Sequence, residues 1–179
     1  MFLPTENFKH KISFTVKDLC FLSLLTAACI VGRTTLQFIP NVQPITSIFM
    51  IVCLYKGFVK SLVVSTLTIF LTNMYMGFGF WTFTQILSYM IVLLLFFVLS
   101  RNSFFRKKLW CQIIFAGFAG FIYGFLTALL DVPFYGIKAF WPYFLQGSSF
   151  NFLHSIGNVL FYPLLEPTFK RIFNRYWTK

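Results

Sequence analysis

Long apolar runs, broken by short polar or glycine-bearing stretches, set the pattern of hydrophobic and polar positions along this chain. A helix needs roughly 20 mostly apolar residues to cross the hydrocarbon core of a bilayer. Runs of this kind predict spanning helices at residues 18–36, 58–74, 81–99, 109–130 and 150–169. A further run, residues 44–55, is too short to cross alone. Short elements of that sort are tolerated where protein or a cavity surrounds them. The expected fold is all-α, a bundle of six transmembrane helices forming one membrane domain over residues 1–179. No internal repeat or low-complexity segment divides it.

Composition sharpens the picture. The chain is 58% hydrophobic and only 11% charged, against about 25% charged in soluble domains. A soluble fold of this length has too little interior to cover that much apolar surface. The polar, basic opening "MFLPTENFKHKISFTVKD" predicts no cleavable signal. Cys20, Cys29, Cys53 and Cys111 stand apart, without CxxC or Cys/His pairing, and read as small apolar helix residues.

Charge gives the orientation. The net charge is +11. Lys9, Lys11 and Lys17 precede the first run. Lys56 and Lys60 flank the turn after the second, and Arg101, Arg106, Lys107 and Lys108 follow the fourth. Lys170, Arg171, Arg175 and Lys179 close the chain. These are thirteen of the fifteen basic residues, and they alternate with connections that hold only Arg33 and Lys138. Basic residues remain cytoplasmic, so both termini are expected inside. The positive charge then describes a rim facing anionic lipid or a partner protein, not a nucleic-acid groove.

Three connections fall outside in this arrangement: Arg33–Thr46, Met76–Thr82 and Asp131–Asn151. All are aromatic and nearly uncharged. Asn151, His154 and Asn158 recur on one face of the sixth run, and Trp81, Gln85 and Tyr89 on one face of the fourth. Asn73 closes the third. Polar groups in hydrocarbon are costly unless they meet a partner or a ligand. With Asn41, Gln43, Trp141 and Tyr143 from the outer connections, these residues are expected to line one outward-opening pocket. The pocket has no charged anchor apart from Arg33 and Lys138 near its mouth, so the expected solute is neutral or zwitterionic, and heterocyclic or amphipathic. The other reading of the same residues is an interfacial aromatic belt plus hydrogen bonds between helices.

The first run carries small residues four apart, Ser23 with Ala27 and Ala28 with Gly32. Such a strip lets another helix approach closely, from this chain or from a partner. Catalytic patterns are missing: Glu6, Asp18, Asp131 and Glu166 form no carboxylate pair, and no HExxH, GxSxG or phosphate loop occurs. No enzymatic activity, cofactor or metal is expected.

The stretches "VGRTTLQFIPNVQPITSI", "NMYMGFGFWTFTQILSY" and "NFLHSIGNVLFYPLLEPTFKR", set in this topology, resemble the substrate-binding S-components of energy-coupling factor (ECF) vitamin transporters. The resemblance covers nearly the whole chain and is nearest to uncharacterised and cobalamin-type members. It implies a subunit that captures a vitamin-like small molecule and delivers it through a scaffold membrane subunit and two ATPase subunits. It also implies docking by the first helix, at Ser23 and Ala27, and a bacterial plasma-membrane location. A non-transport membrane scaffold or assembly protein, and an autonomous small-solute carrier, are the alternatives.

Overall fold

The computed structural model describes residues 14–177. Glu6, Lys9, Lys11 and Lys179 therefore lie outside the described residues. Among those described there are eight helices and no strand: α1 (Val16–Thr35), α2 (Ile45–Lys56), α3 (Phe58–Met76), α4 (Phe80–Ser100), α5 (Ser103–Lys107), α6 (Leu109–Phe134), α7 (Phe140–Gln146) and α8 (Ser148–Trp177).

Three helices, α3, α4 and α6, are long and apolar enough to cross a membrane. The sequence pattern suggested six spans. α2 is shorter, with 12 residues, or about 18 Å at 1.5 Å per residue. α1 and α8 are long, but α1 carries Lys17, Asp18 and Arg33, and α8 carries Glu166, two prolines and a basic end. α2 is central: residues Ile45 to Leu54 are all buried. It touches α1, α3, α4, α6 and α8.

Several boundaries differ from expectation, each for a reason of packing. α8 continues past residue 169 to Trp177. Phe173 in that extension meets Phe21 edge-on at 5.4 Å and stacks on Tyr55 at 4.9 Å. The stretch Asp131–Asn151, read as a loop, is mostly helical. α6 runs on to Phe134, Gly136 turns the chain at φ 64°, and α7 follows. The basic connection holds α5, capped by the Asn102 side chain accepting from the Phe104 N–H at 2.8 Å.

Small residues join α6 to α8, the most extensive contact in the fold. A Cβ on Gly120 would sit 2.6 Å from the Ser155 backbone nitrogen, and one on Gly124 would collide with the Asn151 amide. Ser155 donates to the Gly117 carbonyl at 2.5 Å, and the Asn158 amide to the Ala116 carbonyl at 3.0 Å. The sequence reading found a small-residue strip on α1 and missed this one.

The basic end is held by one carboxylate. Thr15 and Asp18 form a reciprocal cap on α1. Asp18 also takes Lys56 at 3.0 Å, from the end of α2, and Lys60 at 2.9 Å, from the start of α3. Its side chain is 6% exposed. Nearby, Tyr55 donates to Glu166 at 2.5 Å, tying α2 to α8.

Two stability outcomes follow from these contacts. Asp18→Asn leaves two half-buried ammonium groups without their carboxylate, and should lower the unfolding free energy by about 2 kcal/mol. Lys60→Met should cost clearly less, since Asp18 keeps Lys56 and Thr15. Thermal midpoints of the purified proteins in detergent check the order, and equal losses would refute a shared carboxylate. Gly120→Ala drives a methyl into backbone that cannot swing aside, at a cost of about 2 kcal/mol. An unchanged midpoint for that variant would mean that α6 and α8 are not in contact at Gly120.

Candidate functional site

At the end opposite the Asp18 cluster, the helices enclose a polar cavity of about 40 Å³. Its walls are Arg33 from α1, Asn41 and Gln43 from the α1–α2 connection, Thr46 from α2, Ile69 from α3, Gln85 and Tyr89 from α4, Tyr123 from α6 and His154 from α8. Six helices and one connection therefore each contribute.

A chain of hydrogen bonds sets one wall. Thr46 Oγ1 lies 2.8 Å from His154 Nε2 and 3.1 Å from the Tyr89 hydroxyl. The Tyr89 and Tyr123 rings lie 4.6 Å apart, and the His154 ring meets Tyr123 edge-on at 5.2 Å. Rings packed this closely have little rotational freedom, so the hydroxyls and the imidazole hold fixed positions.

The opposite wall hangs on the last turns of α3. The Arg33 guanidinium donates to the Thr72 hydroxyl, and Thr72 donates in turn to the Thr68 carbonyl at 2.6 Å. The neighbouring Asn73 amide donates to Gln85 Oε1 at 2.9 Å and to Thr82 Oγ1 at 3.0 Å. With Oε1 engaged, the Gln85 amide nitrogen is the end left to donate. The α1–α2 connection closes the top. Asn41 adopts φ 59°, a left-handed conformation that asparagine tolerates. Its amide donates to the Phe150 carbonyl at 3.3 Å, pinning the connection to the first turn of α8.

Of the residues singled out from sequence, Asn41, Gln43, Gln85, Tyr89 and His154 meet at this cavity. Asn73 stands behind Gln85. Trp81 is 44% exposed, and its ring lies over Gly79, where any Cβ would strike it. Trp141 is exposed and packs on Phe140 at 5.2 Å. Tyr143 and Asn151 border a second, wider cavity of about 290 Å³ between α6, α7 and α8. Asn158 is fully buried between α6 and α8, and its backbone carbonyl accepts from Ser47 at 3.3 Å.

The sequence reading set Arg33 at the mouth, whereas the structure puts it in the cavity wall, 9% exposed. Thr46, Ile69 and Tyr123 went unnoticed. A lone arginine in the last turn of an otherwise apolar helix is a signal that could have placed Arg33. No comparable signal marks Thr46 or Tyr123, since hydroxyls are common in apolar helices.

On α1, Ser23, Ala27 and Ala28 are exposed. Gly32 instead faces inward, where a Cβ would come within 2.9 Å of Pro44. Among the described residues no three His, Cys, Asp or Glu side chains cluster as metal ligands, and Cys29 and Cys53 are buried in the core.

Comparison with known proteins adds the last element. Searches of curated proteins and of solved structures each returned no match. The family described as ECF transporter, substrate-specific component, matches residues 17–166. That stretch contains every residue of the 40 Å³ cavity and nearly all of the α1–α8 framework. The chain is thus a membrane protein that belongs to the ECF transporter substrate-specific component family, whose members are non-catalytic substrate-binding subunits.

Proposed function

We propose that this chain captures a vitamin-like micronutrient at the end away from its basic rim and hands it to an ATP-driven import module. The observation that carries this reading is the coincidence of the family match with a polar cavity built from α1, α2, α3, α4, α6 and α8. The partners in this reading are a scaffold membrane subunit and two ATPase subunits, in a bacterial plasma membrane. α1, α2 with its flanking connections, and α8 join the three long apolar helices as six crossings, with both termini cytoplasmic. Support for that orientation comes from the basic residues. Lys17, Lys56, Lys60, Arg106 and Arg175 gather at the Asp18 end, and the opposite end holds Arg33 and Lys138.

The cavity walls would hold the substrate, with Asn41, Gln43, Gln85, Tyr89 and His154 joined by Arg33, Thr46 and Tyr123. Trp81, Trp141 and Tyr143 flank the same end. Asn73, Asn151 and Asn158 support the walls from behind. At about 40 Å³ the cavity exceeds one water-sized probe but falls far below the 300 Å³ or so of ordinary ligand pockets. Capture therefore includes displacement of the α1–α2 connection, which the Asn41–Phe150 bond holds in place.

Docking is assigned to the exposed small-residue face of α1, at Ser23, Ala27 and Ala28. Association of helices in lipid relies on close packing, because lipid tails are as apolar as the side chains. Gly32 belongs to the internal contact with Pro44.

Ala27→Trp should abolish uptake in cells that contain the ATPase module, while the purified variant still binds substrate, because Ala27 is remote from the cavity walls. Unimpaired uptake would remove the docking face. Loss of binding as well would make α1 part of the internal core at that point. In the binding assay, His154→Ala should weaken affinity by at least about tenfold, equivalent to 1.4 kcal/mol, and Trp81→Ala by less than about threefold. The reverse order would move the site outward to the aromatic connection. With the native cysteines replaced, impermeant thiol reagents should reach a cysteine at Gly136 or Gly147 from outside cells and miss one at Asn102. Labelling at Asn102 would contradict the orientation.

A further inference from the structure

We propose that the substrate is an organic carboxylate and that Arg33 is the group that receives its charge. This rests on the reading of the polar cavity as the substrate site.

The starting observation is a buried cation with no counter-charge among the described residues. Arg33 is 9% exposed, and its guanidinium reaches Thr72. A guanidinium does not lose its proton at any physiological pH. Its charge in this interior must therefore be met from elsewhere. None of the three acids among the described residues forms an ion pair with it. Asp18 holds Lys56 and Lys60 at the far end, Glu166 accepts from Tyr55, and Asp131 accepts from Tyr143 at 3.5 Å. One oxygen of Asp131, Oδ1, is buried with no hydrogen-bond partner among the described residues, yet it forms no ion pair with Arg33. The end of α1 stabilises an arginine in its last turn through the helix dipole. That effect explains a cation near the terminus, and leaves the remaining guanidinium N–H groups facing a cavity.

Among the described residues no carboxylate lines the cavity. Its lining includes groups able to donate to an anion: the guanidinium, the amides of Gln43 and Gln85, and the hydroxyls of Thr46, Tyr89 and Tyr123. α2 begins beneath it, and no side chain caps its first turn. The amide N–H groups of that turn add positive potential on the same side. Thr72 fixes the geometry. Its hydroxyl proton goes to Thr68, so its oxygen lone pairs hold the guanidinium in place. It is a positioning residue.

A carboxylate fits this wall better than a phosphate. Its two oxygens match the guanidinium fork, and its single charge balances the single cation. A phosphate ester brings close to two charges and would remain half compensated. The faces of Tyr89 and Tyr123 and the Ile69 side chain require a carbon body behind the charged group, which excludes a small inorganic anion.

The test uses the purified full chain in detergent and a water-soluble extract of cells and rich growth medium. The extract is offered untreated, after amidation of its carboxylates with carbodiimide and methylamine, or after phosphatase treatment. Bound compounds are released and identified by mass spectrometry. The expected result is a captured compound with a free carboxyl group, lost on amidation and retained after phosphatase. Its affinity should fall at least about tenfold in Arg33→Gln, less in Arg33→Lys, and several-fold in Thr72→Val. If Arg33→Gln does not fold, the amidation arm on the unaltered chain decides. Capture that survives amidation, disappears after phosphatase, or yields a compound without a carboxyl group overturns this inference and leaves the substrate site standing. Capture of nothing from any extract overturns the substrate-site reading itself, and this inference with it.

Discussion

The burial of α2 is the constraint on which the remaining architecture depends. Ten consecutive residues, Ile45 to Leu54, are shielded from the surroundings, which requires neighbours on all sides of a 12-residue helix. α1, α3, α4, α6 and α8 supply them. Because α2 is shorter than a bilayer is thick, its two ends stop inside the bundle, and each end needs polar partners. At the lower end, Lys56 meets Asp18, which also caps α1 and takes Lys60. At the upper end, Thr46 meets His154 and Tyr89. The cavity and the ion cluster are thus two consequences of one short central helix.

The two ends solve the polarity problem differently. The lower end is closed: carboxylate and ammonium groups compensate one another, and Tyr55 and Glu166 complete the set. Charges satisfied in this way fix how three helices meet. The upper end is open in the chemical sense, with a polar cavity and a cation whose described partner is a hydroxyl. A fold selected only for stability has little use for such an arrangement, since a buried charge without a counter-charge is destabilising. Strain and incomplete pairing of this kind concentrate where a protein binds something.

Much of this was legible in the sequence. Apolar runs located α1, α3, α4 and α6 to within a few residues, because hydrocarbon demands continuous apolar length. The basic residues marked one end before any contact was known. The site was only half legible. His154, Gln85 and Tyr89 stood out as polar groups in apolar runs. Tyr123 and Thr46 look like ordinary helix residues, and only the crossing of α2, α4, α6 and α8 makes them neighbours. Trp81 is the converse case. A tryptophan among glycines suggested a stacking surface; in the structure its ring lies over Gly79, apart from the cavity lining. The aromatic stretch around it packs on itself and on α6: Phe78 meets Phe70 at 5.6 Å and Phe83 at 5.9 Å, and Phe80 stacks on Phe134 at 3.2 Å.

That aromatic packing bears on how the cavity opens. Thr72 and Asn73 are adjacent on α3, and between them they orient Arg33 and Gln85 on the cavity wall. Four residues later Gly77 takes φ 121° and ends the helix, its N–H donating to the Asn73 carbonyl at 2.9 Å. The α3–α4 connection and the wall are therefore one mechanical unit, anchored to α6 by the Phe80–Phe134 stack. The α1–α2 connection is tied to α8 by the Asn41–Phe150 hydrogen bond on an exposed asparagine and by the approach of its Val42 backbone to Gly157. An exposed hydrogen bond contributes about 1 kcal/mol or less. On the proposed reading the α1–α2 connection is displaced on capture, while the Thr72 and Asn73 bonds keep Arg33 and Gln85 in position.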